Sequence, residues 1–141
     1  MKSTTAAVTF LLILGIVYWT FQDSMPTYKE DLEIPGTEFS VDRALLHVQK
    51  IAEAPHAVGF PAHAEVRGYL IQALEGLGLQ PLLQEGYTAG DWGNLSKAVN
   101  IMARIPGRDN SKALVLLSHY DSNPHSSLGA SDAGSGVATI L

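Results

Sequence analysis

Between Leu116 and Gly136 the chain reads LLSHYDSNPHSSLGASDAGSG, an apolar run followed by a histidine, two aspartates and a string of small residues. Imidazole and carboxylate are the ligands zinc accepts where no thiolate is offered, and the chain has no cysteine. His119 and Asp132 are therefore candidate metal ligands. Asp121 lies two residues beyond His119, and on a strand residues two apart point to the same side. Its carboxylate could then accept the second ring N–H of His119, fixing the tautomer and raising ligand basicity. Asp132, with two oxygens, could bridge two metal ions about 4 Å apart.

Spacing alone leaves two other readings open. Asp and Ser in a glycine-rich stretch also serve as ordinary turn formers. Gly129 to Ala133, GASDA, is a relaxed form of the G-x-S-x-G nucleophile turn centred on Ser131. That turn needs a strand directly before it, and SNPHSSL does not read as one. His47, His56, His63 and His125 read as structural or solvated, since none has a carboxylate at ligand spacing on a rigid element.

These residues need elements to position them. KALVLLSHYDS is a continuous apolar run, which predicts a strand covered on both faces, central near Ala113 to Ser118. Such a strand delivers His119 at its C-terminal end, where open sheets place their ligands. SGVATIL then begins a helix. Upstream, Val41, Ala44, Leu45, Val48, Ile51 and Ala52 repeat at helical spacing, with Ser40 as N-cap and an end before Pro55. Val66, Tyr69, Leu70, Ala73, Leu74 and Leu77 predict a second helix, about Ala62 to Leu77, stopped by Gly76 and Gly78. LQPLLQEGYT and AVNIMARIPG read as strands, the latter with Val99, Ile101, Ala103 and Ile105 alternating. The order of elements predicts an α/β domain.

From Ser3 to Gln22 the chain carries no charge over 20 residues, enough at ~1.5 Å per residue to cross a ~30 Å hydrocarbon core. Tyr18 and Trp19 stand where an aromatic belt would, and Lys2 is the flanking cation. No A-x-A-like cleavage site follows, so the segment predicts a retained anchor rather than a cleaved signal, with the N-terminus cytoplasmic and the rest on the far side. The organisation expected is an anchor over 1–22, a linker over 23–38 and a folded domain over 39–141. Because the chain stops at Leu141 within an apolar stretch, it reads as the front part of a longer protein. A net charge of -5 without a basic cluster excludes nucleic acid as a partner.

SHYDS followed by GASDAGSG, preceded by VNIMARIPG and APHAVGFPAHAEVRGYL, resembles the zinc-dependent exopeptidases of the M28 aminopeptidase family, above all their membrane-anchored relatives. The resemblance covers Phe39 to Leu141. It implies a three-layer zinc-exopeptidase-like domain with a central mixed sheet, incomplete at its C-terminal side. It implies two zinc ions, with His119 a ligand, Asp121 acting in catalysis by steadying that histidine, and Asp132 bridging the metals through a residue whose bond to Ala133 is cis. Ala133 departs from the acidic or amide residue many members carry there. The activity implied is hydrolysis of a peptide or aminoacyl substrate by zinc-activated water. The family's general base and remaining ligands would follow Leu141, so the 141-residue chain alone is expected to be inactive. Two alternatives share the scaffold: a non-catalytic ectodomain acting as a binding or receptor module, and an aminoacyl cyclase or transferase.

Overall fold

The computed structural model describes residues 2–25, 34–90, 93–109 and 112–141, and the chain divides into two units, residues 1–31 and 32–141. The first unit is helix α1, Lys2–Ser24. Its 23 residues span about 34 Å at the usual helical rise. Phe10, Leu11, Tyr18 and Trp19 are all exposed, and the stretch Thr4–Ser24 has a mean hydropathy of 1.8. By length and composition this helix is able to cross a membrane. A helix apolar on every side has no stable place in water unless something covers it.

In the second unit, helix α2 runs Val41–Ile51. Ser40 caps it as its sequence predicts: its backbone is extended and its Oγ accepts the N–H of Arg43 at 3.3 Å. Asp42 in the first turn and Lys50 in the last complement the helix dipole. The Arg43 guanidinium donates back to the carbonyls of Ile34 (2.6 Å), Pro35 (3.3 Å) and Glu38, which fastens the preceding segment to the start of α2. Helix α3, Pro61–Gly76, opens on a proline, where a missing N–H costs nothing. It closes on Gly78, left-handed at φ 77°, whose N–H reaches Glu75 O while Leu79 N–H reaches Leu74 O. His47 Nδ1 and the Tyr69 hydroxyl, 2.6 Å apart, join α2 to α3.

Strands β1, Leu82–Ala89, and β2, Leu95–Met102, pair antiparallel from Leu82 opposite Met102 to Ala89 opposite Leu95. Alternation on β2 works as expected for Val99 and Ile101, which turn inward, but Ala103 and Ile105 lie beyond the strand and are exposed. A kinked turn, Ala130–Gly134, leads into helix α4, Ser135–Ile140. Ile51 of α2, Val66 and Leu70 of α3 and Val137 of α4 form the core, flanked by Tyr69, Ile101, Tyr120 and Leu141. The architecture is mixed α/β, as the sequence predicts.

One expectation fails. Ala113 to Ser118 is not a strand, and the two-stranded sheet of β1 and β2 is the only one among the described residues. Leu114 and Leu117 are 89% and 85% exposed. A strand exists through ladder bonds to a neighbour, and an apolar run states only that its faces want covering. No described residue pairs with this run, so the pattern is present without the element.

Candidate metal centre

His119 follows the unpaired apolar run, and Asp132 sits inside the kinked turn Ala130–Gly134. The turn is possible because Gly129 adopts a left-handed φ of 65° and its carbonyl accepts the Gly134 N–H at 2.8 Å. Asp132 (φ -122°, ψ 94°) and Ala133 (φ -121°, ψ 30°) leave helical geometry there, and the peptide bond between them is cis, as the resemblance implies. Ser118 Oγ donates to the carbonyls of His119 (3.1 Å) and Ala133 (3.4 Å), joining the two segments beside the site.

The three residues singled out in sequence converge. His119 Nε2 lies 2.9 Å from Asp132 Oδ1. Its Nδ1 faces Asp121 from the other side, 3.1 Å from the carbonyl and 3.3 Å from Oδ1. Partial burial pulls the imidazole pKa down, but the hydrogen bonds to Asp132 and to the Asp121 carbonyl, with the charge of both carboxylates, outweigh it and hold the ring above the ordinary histidine range. The side chains of His119 and Asp132 are 53% and 85% exposed, so the site is open.

Whether such a pair suits a metal follows from its protons. Nδ1 faces only acceptors and so carries a hydrogen. In the neutral ring Nε2 is then a lone pair aimed at an anionic oxygen 2.9 Å away, which is repulsive unless a second proton or a shared cation lies between them. One imidazole nitrogen and one carboxylate make a donor set that zinc accepts. They make only part of one, since among the described residues no group of three or more His, Asp or Glu is placed to hold a metal.

The other histidines take structural or solvated places. His56 is buried, its Nδ1 2.8 Å from the Ala54 carbonyl. His63 is buried and stacks on Tyr120 with centroids 4.7 Å apart and planes 3° from parallel; burial depresses its pKa. His47 pairs with Tyr69, and His125 is exposed. Residues 124–126 form a turn, so Ser131 lacks the preceding strand that a nucleophile elbow requires. Sequence reading missed Ser122. It is fully buried, its Oγ accepting the His56 N–H at 2.9 Å and its own N–H donating to the His56 carbonyl at 3.3 Å. The two residues are 66 positions apart, and no local spacing links them.

Residues 100–141, which hold all three converging side chains, match the model of Peptidase family M28. Over this segment the chain is similar to that family. Over 157 aligned residues, covering 99% of this chain, the chain is 31% identical to a vacuolar membrane protease of Candida tropicalis, of which it spans 16%. It is 29% identical to the vacuolar membrane protease of Candida albicans strain WO-1, covering 96% of this chain and 17% of that protein. Among solved structures, a Fimbriiglobus ruber glutaminyl cyclase superposes with a TM-score of 0.63 at 24% identity, over 81% of this chain and 41% of the cyclase. That likeness shows a shared fold. The matched segment begins within β2 and includes the unpaired run, the kinked Ala130–Gly134 turn and α4.

Proposed function

We propose that this chain supplies part of the active centre of a membrane-anchored, zinc-dependent exopeptidase of the aminopeptidase type. The observation that carries the reading is the 2.9 Å approach of His119 Nε2 to Asp132 Oδ1 within the matched segment, with Asp121 behind the ring. His119 and Asp132 would hold the metal, Asp132 shared between two ions. Zinc bound there polarises a scissile carbonyl and lowers the pKa of bound water towards ~7. The protein's own part is positional. Asp121 keeps the hydrogen of His119 on Nδ1 and leaves Nε2 as the ligand atom. The turn from Gly129 to Gly134 holds the Asp132 carboxylate toward that atom. Further ligands and a general base are assigned to sequence following Leu141, in keeping with relatives of which this chain spans 16% and 17%.

Chelation of the full-length protein should abolish release of an amino-terminal residue from unblocked peptides, and zinc should restore it. N-terminally blocked peptides should not be cleaved. Cyclised product from peptides beginning with glutamine would make the protein a cyclase, and tight peptide binding without turnover would make it a receptor-like module.

Helix α1 is assigned as the retained anchor, with residues 23–38 as a linker to a domain over 39–141 on the non-cytoplasmic side. Support comes from the apolar helix, which carries no charge between Ser3 and Gln22, and from relatives described as membrane proteases. Sequencing the mature N-terminus should find the helix intact. A mature terminus between Asp23 and Thr27 would replace the anchor with a cleaved signal.

A further inference from the structure

His119 and Asp132 are both largely exposed and lie on separate segments, so their separation depends on how those segments are held. Among the described residues, one buried side chain that touches both segments is His56. Its N–H and carbonyl bracket Ser122, the residue directly after Asp121. Its ring lies under Gly129: a Cβ built there would stand 3.0 Å from His56 Cε1 and 3.2 Å from Nε2, and 3.0 Å from Ser122 Cβ. Gly129 in turn anchors the Asp132 turn by accepting the Gly134 N–H. The ring cannot swing away, because Nδ1 is held on the Ala54 carbonyl at 2.8 Å within a fully enclosed site. His56 therefore sits at the junction of the two ligand-bearing segments, and the chain places it in the turn between α2 and α3, remote in sequence from both.

We propose that His56, with Ser122, is the positioning element of the metal centre: a buried backbone and ring brace that sets the separation of His119 and Asp132 without touching metal or substrate. This rests on the zinc reading given above. A brace of this kind acts on the metal through geometry, so its loss should alter how zinc is held and not only how stably the chain folds.

The test uses the full-length protein and measures zinc affinity by competition with a chromophoric chelator, the visible spectrum of the cobalt-substituted form, and thermal unfolding of the metal-free form. Ser122→Ala removes one hydrogen bond and little volume. It should weaken zinc about fivefold, the factor an ordinary net hydrogen bond carries, and shift the cobalt bands. His56→Ala should weaken zinc about tenfold or more, within the range for residues that orient ligands. The double variant should be little worse than His56→Ala, because both remove the same brace. His119→Ala is the control. If it loses zinc while Ser122→Ala and His56→Ala keep wild-type affinity and spectrum, with only unfolding affected, the positioning role is wrong and the zinc reading stands. If His119→Ala keeps its zinc, the zinc reading itself is wrong. Should His56→Ala fail to fold, Ser122→Ala decides alone.

Discussion

On the zinc-peptidase function proposed above, His119→Ala and Asp132→Ala should each abolish hydrolysis of aminoacyl substrates by the full-length protein and lower its bound zinc, because each would remove a direct ligand bond. Asp132→Ala should lose more metal. A carboxylate shared by two ions bonds to both and also screens their mutual repulsion, whereas the imidazole serves one. Asp121→Ala should lie between wild type and these two, with metal affinity or activity down about 10- to 100-fold, since the ring remains but its orientation and basicity do not. His125→Ala, which alters an exposed residue away from the converging three, should change neither readout. The isolated 141-residue chain should show no turnover and weak zinc binding, because a catalytic zinc takes about three protein ligands and this chain brings an imidazole and a carboxylate together. Metal analysis alongside activity checks the whole series. Tight, stoichiometric zinc on the isolated chain would overturn the assignment of further ligands to later sequence.

Gly134→Ala should damage the domain strongly. A Cβ at this position would stand 2.7 Å from the Gly129 carbonyl oxygen, the same oxygen that accepts the Gly134 N–H at 2.8 Å. The clash is with backbone, so no side-chain rotation relieves it. The next neighbour, Ile51 Cγ2 at 3.5 Å, belongs to the core and limits movement of the turn as a whole. Overpacking of this sort costs about 1–3 kcal/mol, and here the strain falls on the turn that carries Asp132. Unfolding temperature and zinc content should fall together. Gly136→Ala offers the comparison: its Cβ first meets the Ser118 hydroxyl at 2.7 Å, a group that can rotate. Its unfolding temperature should drop less, and an equal drop in both would refute the backbone argument.

The sequence by itself determined the elements whose causes are short-ranged. Helix α2 was legible because its apolar residues recur at helical spacing and Ser40 stands at its start, and the Ser40 hydroxyl does cap it. Helix α3 was legible from the same spacing and the glycines that end it, and the strands of the hairpin from alternation bounded by Gly and Pro. The approach of Asp121 to the His119 ring was expected from strand geometry, and it occurs over two residues that lie in no strand. Tertiary structure decided the rest. His119 and Asp132 lie thirteen positions apart, and their 2.9 Å contact depends on a left-handed Gly129 and a turn closed by Gly134. The bracket between His56 and Ser122 joins positions 66 apart and leaves no trace in spacing. The run from Ala113 to Ser118 shows the limit most directly. Its apolar side chains carry the composition of a covered strand, but a strand is made by hydrogen bonds to a neighbour, and those bonds are a property of the partner as much as of the run itself.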